Sequence, residues 1–242
     1  MFKKLFNKIE ADFDITVYLR YWPILKKITT LNNPKLSVAE IGSGSFGIGP
    51  YLKRPFTGFD IAFGKKKSTF LKPVVSSAVK IPTNFNKKFN LVISVDMLEH
   101  LSPENRLKAL QKMVSLTNQH LLVAFPSGRV AFLADKILNW YYQRTHQEKF
   151  DFLTEHLRFP LPDVKSVKNQ LIKIARKDNR EIIFLEAVGN TSVFIYLGLL
   201  FFGFSQNKYL TRIYSLSFFL KKIFSKINFL PYRKLIILEF KK

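Results

Sequence analysis

Short apolar runs alternate with helical stretches along the first 130 residues. Helical periodicity extends over residues 17–31 and 103–116, and the second stretch places Leu107, Leu110 and Val114 on one face. Five runs bounded by Gly, Pro, Asn or Ser predict buried strands, at residues 37–41, 56–61, 72–76, 90–95 and 119–125. This alternation predicts a doubly wound α/β domain with a mostly parallel sheet, which binds its ligand at the carboxyl ends of the strands.

The remainder of the chain divides into flanking segments. Residues 1–35 are expected to form an N-terminal helical cap, with apolar residues at helical spacing within residues 1–13. Two further strands are predicted at residues 181–187 and 233–240. The expected organisation is a core over residues 36–187 and 231–242, interrupted by a Phe-rich segment at residues 188–230, here called the insert.

The insert combines an apolar stretch with an amphipathic one. Residues 193–204 are twelve consecutive apolar residues, too few for the roughly 20 that a membrane span requires. A single helix over residues 208–227 would place Lys208, Arg212, Lys222 and Lys226 on one face, opposite an apolar face. Two interpretations are equally open: the insert lies in a membrane interface, or it packs on the domain as a cap over the acceptor.

Composition excludes several classes of protein. The chain has 242 residues and no Cys, which excludes disulfide scaffolds, Cys-ligated zinc, iron–sulfur clusters and thiol nucleophiles, and which fits a reducing, cytoplasmic location. The 39 Lys and Arg against 17 Asp and Glu give a net charge of +22. That charge is compatible with an anionic membrane surface, with nucleic acid, or with a coding bias that has no functional meaning. No metal site is predicted.

A glycine-rich turn follows the first predicted strand and carries the candidate chemistry. Gly42, Gly44 and Gly47 have the G-x-G-x-x-G spacing, which alone would suit a dinucleotide equally well. Asp60 ends the second strand, where its carboxylate can accept both hydroxyls of a ribose. Glu40 lies at the end of the first strand, where a buried carboxylate is costly without a cationic or hydrogen-bonding partner. The pair favours a methyl-donor site.

Five segments in order resemble the class I S-adenosylmethionine-dependent methyltransferases, and in particular the group called methyltransferase type 11. The segments are VAEIGSGSFGIGPYL, FTGFDI, VVSSAVKIP, SVDMLEHL and HLLVAFPSG, which together span about residues 36–130. The resemblance implies a Rossmann-like sheet whose last strand is antiparallel. It also implies S-adenosylmethionine as the cofactor.

Site residues are carried over from the resemblance position by position. The implied cofactor-binding residues are Glu40, Gly42, Ser43, Gly44, Asp60, Ile61, Ser77, Ala78, Asp96 and Met97. Ser77 departs from the family pattern, because relatives carry an Asp that contacts the adenine amino group. A Ser can form a hydrogen bond there but adds no charge.

A hydroxyl or amine acceptor would require a general base. His100, which follows the fourth strand, is the first candidate, and Asp96 and His146 are also candidates; for His146 and His156 a plain surface position is favoured. The expected function is methyl transfer to a small-molecule or lipid-linked acceptor, in the cytoplasm or on the inner face of the membrane. The alternatives are an RNA methyltransferase, which lacks support from an Asn-Pro-Pro-Tyr-like element, and a catalytically silent membrane-associated protein.

Overall fold

The computed structural model describes residues 14–241, so the helix predicted within residues 1–13 lies outside the described part of the chain. Seven strands form one sheet in this part. They are β1 (Val38–Ile41), β2 (Phe56–Asp60), β3 (Leu71–Val75), β4 (Phe89–Val95), β5 (Thr117–Pro126), β6 (Ile182–Ser192) and β7 (Pro231–Phe240). Their order is β3-β2-β1-β4-β5-β7-β6. The strands β1 to β5 pair in parallel and β7 runs antiparallel to both of its neighbours, as predicted.

Helices connect the strands and cover both faces of the sheet. They are α1 (Ile15–Leu31), α2 (Gly49–Leu52), α3 (Pro103–Leu116), α4 (Gly128–His146), α5 (Asp151–His156), α6 (Val164–Lys177), α7 (Val193–Gly203), α8 (Lys208–Leu216) and α9 (Lys221–Phe224). The side chain of Asp14 accepts hydrogen bonds from the backbone N–H groups of Thr16 and Val17, and Ser102 caps α3 in the same manner. Short 3₁₀ turns span Thr83–Phe85, Leu98–His100 and Ser217–Leu220.

Two apolar cores lie on opposite faces of the sheet, which confirms the doubly wound prediction. α3 and α6 contribute Leu110, Met113 and Leu171 to one core, and α1 contributes Ile24 and Ile28 to the other. The sequence placed Leu107 on the buried face of α3, and this was wrong. Leu107 is exposed, because α3 turns Ala109, Leu110 and Met113 towards the sheet and α6.

The two edge strands differ from expectation. β3 was expected to be a buried strand, yet Val75 at its end is 72% exposed. β3 is the edge strand of the sheet and pairs only with β2, and none of its residues is fully buried. β6 runs on to Ser192, beyond the predicted end at residue 187, because β7 continues to pair with it through Pro231.

The single amphipathic helix predicted over residues 208–227 was also wrong. The segment forms α8, the 3₁₀ turn Ser217–Leu220 and α9, and the chain bends where Phe218 is buried against Ile15 and Leu19 of α1. Because Phe218 packs into the core, residues 208–227 do not continue as one regular α-helix. None of the helices within residues 14–241 combines the length and the apolarity needed to cross a membrane.

Candidate cofactor and acceptor site

The glycine turn after β1 is tied to the end of β2. Gly42, Gly44 and Gly47 all have positive φ, at +76°, +54° and +48°. The Gly42 N–H donates to the Phe59 carbonyl at 2.8 Å, and the Gly44 N–H donates to Asp60 Oδ2 at 2.7 Å. The turn therefore adopts a backbone that only glycine takes up without strain, and its N–H groups face the carboxyl edge of the sheet.

Glu40 lies fully buried beneath this turn. The Tyr21 hydroxyl donates to Oε1 at 2.6 Å, and the Ile48 N–H donates to Oε2 at 2.8 Å. Burial raises the pKa of the Glu40 carboxyl to about 7, although the two hydrogen bonds act in the opposite direction. A Cβ atom on Gly47 would collide with Oε2, so the position of Glu40 explains why residue 47 is glycine.

The other predicted cofactor residues surround the same edge. A Cβ on Gly42 would lie 2.6 Å from Met97 Cγ, which places Met97 against the turn. Ser43 is buried, whereas Ile61 is 74% exposed just beyond Asp60. The Ser76 N–H donates to the Asp60 carbonyl at 2.8 Å, so the loop that carries Ser77 and Ala78 begins beside Asp60. The structure thus brings these predicted residues to one place.

Asp96 follows β4 in a left-handed conformation, with φ of +50°. Arg233 of β7 donates to both carboxylate oxygens, with Nη2 2.6 Å from Oδ2, and Arg20 Nη1 lies 3.5 Å from Oδ2. Burial alone would raise the pKa of Asp96, but the charges of Arg233 and Arg20 outweigh it and lower the pKa. Asp96 is therefore ionised and paired. Its role as a candidate general base stays a prediction.

A cavity of about 370 Å³ lies beside Asp96. Its polar end is formed by Asp14, Arg20, Asp96 and Arg233. Its walls are mostly aromatic and include Phe150, Phe152, Tyr196, Phe204, Tyr214 and Tyr232. Arg20 reaches this cavity, and its neighbour Tyr21 binds Glu40 beneath the glycine turn. Two consecutive residues of α1 therefore contact the cavity and the carboxyl group beneath the glycine turn.

His100 and His146 occupy different surroundings. His100 is half-buried, and its Nδ1 lies 2.7 Å from Glu155 Oε2. Burial lowers the pKa of His100, which favours the neutral imidazole. His146 lies at the end of α4, stacked on Tyr142 at 4.1 Å, and it is not among the residues that line the cavity.

His156 was expected at the surface, and this was wrong. It is 1% exposed, and its Nδ1 lies 3.1 Å from Asp135 Oδ2 on α4. The hydroxyl of Tyr232 donates to the other oxygen of Asp135 at 2.7 Å. A signal existed in the sequence, since Asp135 shares the apolar face of α4 with Ala131 and Leu138, and a carboxylate on such a face indicates a buried partner.

Sequence reasoning also missed Arg20 and Arg233. Arg233 lies on the last strand, 137 residues after Asp96, and no local pattern links the two. Only the insertion of β7 beside β5 brings the guanidinium to the end of β4.

No protein-family model matches the chain, and no curated protein is similar to it in sequence. The plantazolicin methyltransferase BpumL, solved in complex with a pentazolic desmethylPZN analogue and SAH, is 13% identical with a TM-score of 0.55, over 99% of this chain and 90% of that one. The methyltransferase domain of bacterial CtHen1-CN is 13% identical with a TM-score of 0.50, over 92% of this chain and 98% of that one. This chain therefore has the Rossmann-like fold seen in those methyltransferases.

Proposed function

We propose that this protein is an enzyme that binds S-adenosylmethionine and transfers its methyl group to a small-molecule or lipid-linked acceptor. The observation that carries the proposal is the Gly44–Asp60 hydrogen bond above the buried Glu40, at the carboxyl edge of the sheet. Asp60 would accept the ribose hydroxyls, and Ile61 offers an exposed apolar surface for the adenine. Ser77 and the Ala78 backbone would complete the adenine site.

The cavity supports an acceptor with an apolar or aromatic body. Aromatic side chains form most of its walls, and two arginines at its polar end are held in place by Asp96. Leu200, Gly203, Phe204 and Tyr214 of the insert form part of the wall. An acceptor there would be enclosed between the core and the insert, which excludes water from the reacting groups.

Methyl transfer from a sulfonium is an in-line displacement, and S-adenosylmethionine would supply the reactive methyl group when bound. The protein's part is chiefly to hold donor and acceptor in line. This orientation can lower the activation free energy of methyl transfer by about 7–11 kcal/mol at most. Neutral His100 remains the first candidate to accept a proton from a hydroxyl or amine acceptor. His146 remains a weaker candidate, because it does not line the cavity.

Calorimetry with S-adenosylmethionine and S-adenosylhomocysteine tests the cofactor assignment. We expect both to bind, and we expect Asp60→Ala to weaken binding roughly ten- to hundredfold, because charge-assisted hydrogen bonds of about 1.5–3 kcal/mol are lost. Asp178→Ala is the matched control, since it removes an exposed carboxylate after α6, remote in sequence from the glycine turn. It should bind as the unmutated chain does.

Failure of the folded, unmutated chain to bind either compound would contradict the enzyme proposal and favour the catalytically silent alternative. Tight binding of a nicotinamide dinucleotide in their place would contradict the cofactor assignment. Transfer of labelled methyl groups to components of a cell extract would then identify the acceptor class.

We also propose that the insert binds an anionic membrane surface. Large apolar side chains of this segment are exposed in the described chain, namely Phe194, Tyr209, Ile213, Leu216, Phe219, Leu220, Ile223, Ile227 and Phe229. On α8, residues 209, 213 and 216 share one helical face, and exposed Lys208 and Arg212 flank it. Apolar groups bordered by cations suit an interface with anionic headgroups.

Co-sedimentation with mixed phosphatidylglycerol and phosphatidylcholine vesicles tests this proposal. Replacing Lys208, Arg212, Lys222 and Lys226 with Gln should reduce binding by up to about a thousandfold, because each cation near the surface contributes about 1 kcal/mol. The matched control replaces the exposed Lys165, Lys173, Arg176 and Lys177 of α6 with Gln and removes the same charge. Equal losses in both variants, or no binding by the unmutated chain, would contradict a specific membrane face.

A further inference from the structure

Glu99 is a buried carboxyl group that the proposed methyl transfer does not use. It lies in the 3₁₀ turn after β4 and is fully buried. Neither of its carboxylate oxygens has a hydrogen-bond partner in another residue of the described chain. A buried carboxyl group without such partners is costly, so its surroundings should contain a group that binds it.

His156 faces Glu99 with an unpartnered nitrogen. His156 Nδ1 donates a hydrogen bond to Asp135 Oδ2 at 3.1 Å, and the hydroxyls of Tyr232 and Tyr196 donate to the other oxygen of Asp135. This arrangement leaves a lone pair on Nε2, which lies 3.7 Å from Glu99 Oε1 and has no partner among the described residues. A proton or a cation is therefore needed between these two buried atoms.

His100 completes the cluster in the same manner. Its Nδ1 lies 2.7 Å from Glu155 Oε2, which leaves Nε2 with its lone pair. The rings of His100 and His156 are 4.8 Å apart. One ligand atom from each of Glu99, His100 and His156 lies within 4.8 Å of the others.

We propose that Glu99, His100 and His156 bind a divalent first-row transition cation of the Zn²⁺ and Mn²⁺ class. Ligand atoms about 2.1 Å from such an ion lie roughly 3–4 Å from one another, and the Glu99–His156 pair already has this spacing. Each histidine has a carboxylate on its other nitrogen, which is the arrangement that orients metal-binding histidines. Two nitrogen ligands favour these ions over Mg²⁺, which takes oxygen.

The cluster lies against the acceptor cavity. Phe152 lines the cavity and contacts both rings, at 5.1 Å from His100 and 4.2 Å from His156 between centroids. In that position the bound ion would hold an oxygen atom of the acceptor. This role rests on the proposed methyl transfer, whereas the binding of the ion is independent of it. With the ion bound, His100 is a ligand and is not free to accept a proton.

The experiment is a titration of the metal-stripped full chain with ZnCl₂, MnCl₂ and MgCl₂, followed by calorimetry and metal analysis after dialysis. We expect one equivalent of Zn²⁺ or Mn²⁺ per chain and much weaker Mg²⁺ binding. Glu99→Gln and His100→Ala should each weaken binding by at least about tenfold. His146→Ala, which removes a histidine outside the cluster, is the matched control and should bind as the unmutated chain does.

Loss of Glu99 could prevent folding, so two measurements avoid that variant. His100 is half-buried and tolerates replacement more easily, and Co²⁺ bound to the unmutated chain should give the visible absorption of a site with nitrogen ligands. No stoichiometric binding, or equal binding by the His100→Ala and His146→Ala variants, would overturn the proposal. In that case a proton between Glu99 Oε1 and His156 Nε2, and not a metal ion, would compensate the two buried atoms. Because no S-adenosylmethionine is present, a failed cofactor assignment cannot produce either result.

Discussion

At the scale of single residues, Glu40 shows how burial controls ionisation. Its carboxyl group sits beneath the glycine turn with one hydrogen bond to each oxygen, and its pKa is raised from 4.5 to about 7. Below pH 4.5 the group is protonated in the folded and the unfolded chain alike. Between pH 4.5 and 7 the unfolded chain loses the proton first, so folding becomes less favourable as the pH rises.

We expect the raised pKa of Glu40 to lower the free energy of unfolding by about 3 kcal/mol between pH 4.5 and 7. Glu40→Gln cannot ionise, so this component should be absent from the variant. Urea unfolding at several pH values measures the difference between the two curves, and the exposed Glu104→Gln serves as the control. Parallel curves for the unmutated chain and Glu40→Gln would contradict the raised pKa.

At the scale of elements, the turn between β1 and α2 depends on two glycines for different reasons. Gly44 and Gly47 both have positive φ, which costs other residues about 1 kcal/mol. A Cβ on Gly44 meets no atom within 4 Å, whereas a Cβ on Gly47 would collide with Glu40. Substitution of Gly44 therefore tests backbone strain alone, whereas substitution of Gly47 tests backbone strain together with a steric clash.

We expect Gly44→Ala to lower the free energy of unfolding by about 1 kcal/mol, from backbone strain alone. Gly47→Ala should lower it by about 2–4 kcal/mol, because overpacking adds to the strain. Urea unfolding without cofactor measures both, with Gly44→Ala as the internal control. Equal losses would show that Glu40 moves aside at no cost.

At the scale of the whole molecule, Asp96 joins three distant segments. It follows β4, it is paired with Arg233 of β7, and Arg20 of α1 lies nearby. Removing one partner of a buried ion pair leaves a charge without compensation, and this costs more than the pair contributes.

We expect Arg233→Met to lower the free energy of unfolding by about 3 kcal/mol, near the lower limit for such changes because Arg20 remains. Adding Asp96→Asn removes the uncompensated charge and should restore part of the loss, and Asn tolerates the positive φ of this position. Chemical unfolding of both single variants and the double variant forms the cycle. A double variant as unstable as the sum of the single losses would refute the coupling.

The sequence alone determined the local features. Each predicted strand of the core lies within two residues of an observed one at its start, because short apolar runs between turn residues have few other stable arrangements. The glycine turn, Glu40 and Asp60 were recognised for the same reason, since a strand followed by glycines and a second strand ending in Asp is a local pattern. The edge strand β3 and the broken helix in the insert were misjudged, because exposure depends on neighbours that periodicity does not reveal.

Only the tertiary structure decided which distant side chains meet. Glu99 and His100 face His156 across 56 or more residues, and Asp96 meets Arg233 across 137. Such contacts follow from the order of strands in the sheet and from the packing of α4 and α5, not from spacing along the chain. Burial then alters the chemistry of these groups, because removal from water makes a partner necessary for every charge. The candidate metal cluster and the arginine pair are therefore properties of the fold.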